Sequence, residues 1–256
     1  MSILLPLYVY PSAGAWDPLY TAAKAHRDVD FTVVINPCSG PCMGSLPDKV
    51  YLDEIPNLKN YSNIRTLGYV ATNYTTKPIN DVLSEIHTYT TWPKLTNNTK
   101  LKVDGIFFDE TPSEYDPAKY SYLKTAAASV RNATNFRDKF IVHNPGLVSP
   151  TILNSKTYLQ QSYMNLSDIT VVFEESFTKW LDKSNFDALQ SHKIKKSKLA
   201  VLIHSIPTVA GKVLDFVVEQ MEDAADWVFL TDVGATDQYY HSFSGLFEGF
   251  VRAVDG

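Results

Sequence analysis

The stretch V-D-G-I-F-F-D-E-T-P, residues 103–112, decides the fold. Its apolar run I-F-F follows a glycine and ends in two adjacent carboxylates, Asp109 and Glu110. A short apolar run bounded in this way is typical of a buried parallel strand, and Pro112 cannot continue it. We therefore predict a strand that ends in two acids at the mouth of a cavity, where apolar walls raise the pKa of a carboxyl group. The alternative is an Asp109 that caps the next helix beside a solvated Glu110.

Seven more apolar runs of similar length occur along the 256 residues, and their starts are 27 to 41 residues apart. Together they predict eight strands, at residues 4–10, 31–36, 64–70, 105–109, 140–144, 170–174, 199–204 and 227–231. Segments with helical spacing lie between most of them, at residues 78–92, 117–133, 178–189, 213–225 and 243–254. Eight such alternations predict a (β/α)8 barrel in one domain, residues 1–256. A doubly wound sheet would more often carry a glycine-rich first turn, and no G-x-G-x-x-G is present.

Charge and hydropathy exclude several classes of partner. The net charge is -5, and no basic stripe or tail is present, which argues against nucleic acid and against anionic membranes. The sequence contains no run of about 18 apolar residues, so no membrane span is predicted. We expect no stable protein partner, and hence a monomer.

Glycosylation sequons and cysteines indicate whether the protein is secreted or intracellular. Five Asn-x-Ser/Thr sequons begin at Asn60, Asn73, Asn97, Asn132 and Asn165. This density suits a secreted or cell-surface protein whose leader or anchor lies outside the given sequence. The two cysteines, Cys38 and Cys42, have neither C-x-x-C spacing nor nearby Cys or His ligands, so a local disulfide is favoured over free thiols or a metal site.

The active site of such a barrel lies at the carboxyl ends of its strands, so the residues that end each run form a predicted ring. Carboxylates, amides, imidazoles and aromatic rings dominate this set, as a sugar-binding cleft requires. Its members are Tyr8, Tyr10, Trp16, Asn36, Tyr69, Asp109, Glu110, His143, Asn144, Glu174, Glu175, His204 and Asp232.

The acids on the predicted fourth and sixth strands suit cleavage of a glycosidic bond. That reaction needs a carboxylic acid to protonate the leaving oxygen and a carboxylate on the other face of the sugar. Carboxyl groups about 5 to 5.5 Å apart give retention, and groups about 6.5 to 9.5 Å apart give inversion, a choice that the sequence leaves open. Within each adjacent pair, Asp109 with Glu110 and Glu174 with Glu175, alternation should aim one member into the mouth.

The sequence also allows purely structural roles for several of these residues, and two other hydrolase chemistries can be compared with it. Glu110 and Glu175 could be salt-bridge or hydrogen-bonding partners, and His143 and His204 could be core histidines. A polysaccharide deacetylase would hold a metal, but no H-x-x-x-H or H-x-H spacing supports one, so we predict no metal and no cofactor. A serine hydrolase would show G-x-S-x-G, which is absent.

Several motifs together carry a family resemblance. In order, they are Y-V-Y-P-S-A-G-A-W at 8–16, V-I-N-P-x-S-G-P at 34–41, G-Y-V-A-T-N-Y at 68–74, V-D-G-I-F-F-D-E at 103–110, N-P-G at 144–146 and V-V-F-E-x-S at 171–176. In these motifs the chain resembles the spherulin-4-like family of fungi and slime moulds, whose characterised members are glycoside hydrolases.

The resemblance implies a (β/α)8 enzyme that cuts inside chains of α-1,4-linked N-acetylgalactosamine (GalNAc), such as the galactosaminogalactan of mould biofilms. It also implies residue roles: Asp109 as nucleophile, Glu174 as acid/base and Glu110 as a tuning or positioning residue. The historical name of the family leaves a second hypothesis, a non-catalytic carbohydrate-binding or spore-coat protein.

The stretch at 103–110 also resembles, more weakly, the chitinase signature D-G-x-D-x-D-x-E. Phe107 replaces the middle Asp of that signature.

Overall fold

Eight parallel strands close into a barrel in chain order. The structure, a computed structural model, describes residues 1–146, 163–191, 194–209, 211–235 and 238–256. The strands are β1 (Ser2–Leu7), β2 (Asp30–Ile35), β3 (Ile64–Ala71), β4 (Gly105–Asp109), β5 (Phe140–His143), β6 (Ile169–Ser176), β7 (Leu199–His204) and β8 (Trp227–Leu230). Pairing of Ser2 with Trp227 joins β1 to β8 and closes the sheet. The predicted (β/α)8 fold is therefore confirmed.

Helices cover the outside of the barrel. Within the described residues they are α1 (Asp17–Ala25), α2 (Lys49–Leu58), α3 (Ile79–Leu95), α4 (Pro117–Asn132), α5 (Phe177–Trp180), α6 (Lys183–Ser191), α7 (Gly211–Ala224) and α8 (Phe247–Asp255). The start of α4 shows why the sequence folds this way locally. The Asp116 carboxylate accepts hydrogen bonds from the Ala118 and Lys119 amides, and Pro117 occupies the first turn, where no intrahelical N–H is needed. None of the helices in the described ranges is long and apolar enough to cross a bilayer.

Two predicted helices differ from the structure. The single helix predicted at 178–189 is wrong, because the chain forms α5 and α6 with a break at Leu181 and Asp182. The Asp182 carboxylate accepts hydrogen bonds from the Ser184 amide and hydroxyl, which starts a new helix instead of continuing the old one. The helix predicted at 243–254 begins later, at Phe247, and ends at Asp255.

The strands bury apolar side chains on both faces, so the barrel interior is filled. Ile106, Phe107 and Phe108 of β4 are at most 1 % exposed. Gly105 starts β4 because the neighbouring strand approaches closely there: a Cβ atom at this position would lie 1.9 Å from the Phe140 carbonyl oxygen. The apolar run predicted from the sequence is thus the centre of the packed sheet.

A buried ion cluster lies just before β4, at the amino-terminal face of the barrel. Asp104 has 0 % exposure, and its carboxylate lies 2.8 Å from Lys59 Nζ and 3.2 Å from Arg137 Nε. It also accepts a 2.7 Å hydrogen bond from the Thr66 amide of β3. Burial lowers the pKa of Lys59, while the charge of Asp104 opposes that shift. The cluster therefore ties β3, β4 and α2 together at the end opposite the predicted site.

We expect Asp104→Ala to lower the free energy of unfolding by about 3–5 kcal/mol, because it leaves the buried Lys59 ammonium without its counter-charge. Urea denaturation at pH 7 measures this change. The matched control is Asp53→Ala, which breaks an exposed pair with Lys49 on α2 and should cost less than about 0.5 kcal/mol. Equal losses in the two variants would show that the Asp104 cluster does not stabilise the fold.

Candidate active site

One amide side chain bridges two carboxyl groups at the carboxyl ends of β4, β5 and β6. Asn144 follows β5, and its Nδ2 donates a 2.7 Å hydrogen bond to Asp109 Oδ1 and a 2.6 Å hydrogen bond to Glu174 Oε2. The two oxygens share one nitrogen, so they lie at most 5.3 Å apart, the sum of these distances. The Gly146 amide donates to Asn144 Oδ1, which orients the nitrogen towards the acids.

Asp109 is held by three donors. Besides Asn144, the Glu110 amide donates to Oδ1 at 2.9 Å and the Tyr69 hydroxyl donates to Oδ2 at 2.7 Å. Burial raises the pKa of the Asp109 carboxyl group, and these three hydrogen bonds oppose the rise. They favour the ionised form of Asp109.

Glu174 has the more strongly shifted carboxyl group. Burial raises the pKa of Glu174 to about 7, with a further contribution from the charge of Asp109, against the hydrogen bonds from Tyr240 and Asn144. The Tyr240 hydroxyl donates to Glu174 Oε1 at 2.5 Å. Near neutral pH the site can therefore pair an ionised Asp109 with a protonated Glu174.

Aromatic rings form the wall beside these acids. The Tyr8 ring makes edge contacts with the rings of Tyr69 and Tyr240, with centroids 5.6 Å apart in each case. Burial, and then the negative charges nearby, raise the pKa of all three phenols, so their hydroxyls stay protonated. The wall thus supplies neutral hydrogen-bond donors.

Tyr240 was missed by the sequence analysis. It lies ten residues beyond Leu230, the end of β8, so it is not a strand-end residue. Closure of the barrel brings the segment after β8 next to Tyr8, which follows β1. The signal that could have found it is the aromatic pair Tyr239–Tyr240 after the eighth apolar run.

Glu110 adopts a left-handed backbone conformation with φ 51°. Its carbonyl accepts hydrogen bonds from Thr72 Oγ1 at 2.7 Å and from the Tyr74 amide at 2.6 Å. Burial and the charge of Asp109 raise the pKa of the Glu110 carboxyl group, and Lys77 opposes the rise. A residue held in a disfavoured conformation by two hydrogen bonds beside two partly buried acids is typical of a functional site.

Three predicted residues form hydrogen bonds with groups other than the acids. Trp16 is 1 % exposed in the core, where its indole donates to the Val9 carbonyl, so it does not face the cleft. Tyr10 is exposed and donates to Asp48 at 2.7 Å. The Asn36 side chain accepts a hydrogen bond from the Gly40 amide. Gly40 lies in the loop that the disulfide between Cys38 and Cys42 closes.

His143 is buried rather than placed in the cleft. It is 2 % exposed, and neither ring nitrogen has a hydrogen-bond partner among the described residues. Burial lowers the pKa of His143 to about 3, so the ring is neutral at physiological pH. This placement matches the core histidine that the sequence left as an alternative.

Glu175, His204 and Asp232 lie on the β6 to β8 side of the mouth. The His204 ring stacks on Tyr239 at 3.8 Å, and its Nδ1 lies 2.8 Å from Ser205 Oγ. Burial lowers the pKa of His204, while the charge of Glu175 raises it. Asp232 follows β8, next to the Gly245 backbone. Across the parts of the chain that the structure describes, no group of three or more His, Cys, Asp or Glu side chains could hold a metal ion.

Comparison with known proteins now identifies the family. A family model described as "Spherulation-specific family 4" matches residues 2–254. The chain belongs to this family. The resemblance read from the motifs is therefore confirmed. Spherulin-4 of Physarum polycephalum is 33 % identical over 177 residues, which cover 69 % of this chain and 45 % of that protein. The chain thus spans less than half the length of this relative of the spherulation-specific family.

Two solved structures resemble this chain to different degrees. Aspergillus clavatus Sph3, in complex with GalNAc, has a TM-score of 0.91 and 39 % identity, covering 100 % of this chain and 97 % of that one. The spore cortex-lytic enzyme SleL of Bacillus megaterium has a TM-score of 0.61 but 8 % identity, covering 99 % of this chain and 73 % of that one. The likeness to SleL shows only that this chain and SleL share a barrel fold.

We expect Glu174→Gln to be more stable than the wild type at pH 8. The folded protein holds the Glu174 proton up to a pKa of about 7, against 4.5 for an ordinary glutamate, so stability falls as the pH rises between these values. The glutamine avoids this loss, which amounts to about 3 kcal/mol. Urea denaturation at pH 8 and pH 4.5 should show an advantage at pH 8 that shrinks at pH 4.5.

The control is Glu219→Gln on the exposed face of α7, where solvent screens the charge. It should leave stability unchanged at both pH values. An equal stability of wild type and Glu174→Gln at pH 8 would contradict the raised pKa.

Proposed function

We propose that this protein is an endo-acting, retaining glycoside hydrolase that cuts α-1,4-linked GalNAc in galactosaminogalactan-type polysaccharide. The observation that carries the proposal is the shared amide of Asn144, which holds oxygens of Asp109 and Glu174 within 5.3 Å of each other. That limit is compatible with the separation of about 5 to 5.5 Å used in retaining enzymes and is shorter than the 6.5 to 9.5 Å used by inverting ones. Family membership and the GalNAc bound by the similar Sph3 support the substrate class.

The two carboxyl groups divide the chemistry according to their environments. Asp109, whose ionised form accepts three hydrogen bonds, attacks the anomeric carbon. Glu174, with its pKa near 7, gives its proton to the leaving glycosidic oxygen as that bond breaks. The product of this step is a glycosyl ester on Asp109 and a free chain end.

The second step reverses the roles. Glu174, now a carboxylate, removes a proton from a water molecule, which attacks the anomeric carbon and releases Asp109 as a carboxylate. Two inversions at the same carbon leave the anomeric configuration unchanged. Glu174 is again protonated, so the site returns to its starting state.

The nature of the α linkage favours a protein nucleophile over the acetamido group of the substrate. An acetamido group assists only when it lies trans to the leaving group, as in β-linked N-acetylhexosamines. In α-linked GalNAc the two groups are cis, so a carboxylate must act in its place. Asp109 is the carboxylate that three donors hold in its ionised form.

The surrounding residues position these two acids. Tyr69 and Tyr240 each donate a hydrogen bond to one acid, and Asn144 donates to both. Glu110 orients Asp109 through its amide and adds negative charge at the mouth, where an oxocarbenium-like transition state develops positive charge.

We expect purified wild type to release oligosaccharides from an α-1,4-linked GalNAc polymer, and Asp109→Asn and Glu174→Gln each to lower turnover by at least about a thousandfold. Mass spectrometry of the products measures the release, and sedimentation with insoluble polymer measures binding. Glu219→Gln should match the wild type. Polymer binding without release by the wild type would support a non-catalytic carbohydrate-binding protein instead.

We further expect the first product of cleavage to be the α-anomer, as followed by proton NMR before mutarotation. The roles of the two acids can be separated with an activated aryl α-glycoside and excess azide. Asp109→Ala should yield the β-glycosyl azide, because azide takes the face that the nucleophile vacates. Glu174→Ala should yield the α-glycosyl azide through the covalent intermediate.

A β-anomer as the first product would contradict the retaining mechanism. The β-azide from Glu174→Ala would exchange the two assignments. The anomer and azide measurements both require a protein that cleaves the substrate, so they are made after the activity measurement.

A further inference from the structure

A left-handed turn of three residues follows β3, and hydrogen bonds connect this segment to the backbone of Asp109 and Glu110. Asn73, Tyr74 and Thr75 have φ angles of 48°, 53° and 73°, and none of them is glycine. The Tyr74 amide donates a 2.6 Å hydrogen bond to the Glu110 carbonyl. The Thr72 amide donates to the Asp109 carbonyl, and the Thr72 hydroxyl donates to the carbonyls of Asp109 and Glu110. These hydrogen bonds fix the position of the turn relative to the end of β4.

Tyrosine is a poor residue for this backbone conformation. Left-handed φ angles are unfavourable for side chains with a Cβ, and glycine or asparagine adopts them at lower energy. Burial does not compensate here, because Tyr74 is 55 % exposed. Strain that packing does not explain is typical of a residue kept for its contact with a ligand.

The Tyr74 side chain is near the acids and available for contact. The charges of Glu110, Asp109 and Glu174, after burial, raise the pKa of the Tyr74 phenol, so its oxygen lies within their field. In the described parts of the chain its hydroxyl makes no hydrogen bond and its ring contacts no other aromatic ring.

Other exposed aromatic residues differ on these points. The Tyr10 hydroxyl is bonded to Asp48. The Tyr115 ring packs against Tyr120 and Tyr163. Phe216 is 56 % exposed on α7, on the outer helix layer. Tyr74 combines exposure, backbone strain and proximity to the acids.

We propose that Tyr74 is a substrate-binding residue whose ring stacks on a hexosamine unit next to the bond that is cut. The face of a tyrosine ring matches the apolar C–H face of a pyranose, and its hydroxyl can reach a polar group of the same sugar. The inference rests on the proposed function and deepens it, because it places a neighbouring sugar over the turn. An endo-acting enzyme needs such contacts beyond the cleaved linkage.

The test measures binding without turnover. In a Glu174→Gln background, isothermal titration calorimetry with an α-1,4-linked GalNAc hexasaccharide gives the affinity of the parent. Tyr74→Ala should bind about tenfold more weakly, and Tyr74→Phe should stay within about threefold of the parent. Tyr74→Gly should bind as weakly as Tyr74→Ala, while its melting temperature equals or exceeds that of the parent because the strain is relieved.

Two controls separate the ring from the loop. Thr75→Gly relaxes the neighbouring position at φ 73° but keeps the ring, and Phe216→Ala removes an equally exposed ring elsewhere. Both should bind like the parent. All variants are produced in a host without N-glycosylation, because Thr75 belongs to the sequon at Asn73.

Each failure has a distinct meaning. A parent that does not bind the hexasaccharide overturns the proposed function and this inference together. A binding parent with unchanged affinity in Tyr74→Ala and Tyr74→Gly overturns the inference alone. It is also overturned if Thr75→Gly weakens binding as much as Tyr74→Ala, or if Tyr74→Gly melts well below the parent, since loop shape or packing would then explain the tyrosine.

Discussion

The rest of the site depends on the double hydrogen bond from Asn144 to Asp109 and Glu174. Two ionised carboxylates this close together, both partly buried, would repel each other strongly. The shared amide donor and a proton on Glu174 remove that conflict, because one group stays charged and the other becomes neutral. The contact therefore sets the spacing of the acids, while burial and the charge of Asp109 raise the pKa of Glu174.

The barrel supplies the support that this contact needs. The strand that carries Asp109 is anchored at both ends: the Asp104 ion cluster precedes it, and Thr72 binds the carbonyls that follow it. The Asn144 backbone continues the same ladder, since its amide donates to the Phe108 carbonyl and its carbonyl accepts from the Thr111 amide. Three adjacent strands thus hold their functional side chains on backbone positions that have little freedom to move.

Four non-glycine residues have left-handed backbone conformations where the chain leaves β3 and β4. Glu110 and the turn at Asn73, Tyr74 and Thr75 share left-handed conformations, and a hydrogen bond from the Tyr74 amide to the Glu110 carbonyl joins them. The hydrogen bonds from Thr72 and the fixed end of β4 keep these residues in place. The stable barrel thus keeps these residues in energetically unfavourable backbone conformations next to the acids.

The strand positions were predictable because apolar runs and turn residues are local signals. The strands at 105–109 and 199–204 have the bounds that the sequence predicts, and the acids at the ends of β4 and β6 lie together as alternation and barrel topology require. The split into α5 and α6 was missed because one side chain, Asp182, outweighed the helical pattern around it. Trp16 was placed in the cleft by its position alone, although tryptophan side chains are highly buried on average and this one is 1 % exposed.

By itself, the sequence determined the (β/α)8 fold, the family and the strands that carry the acids, because periodicity and motifs depend on neighbouring residues. Only the tertiary structure decided which groups touch. Asn144 is 35 residues from Asp109, and Tyr240 is 66 residues from Glu174. Distances and pKa values depend on such contacts and on burial, and no local pattern encodes them.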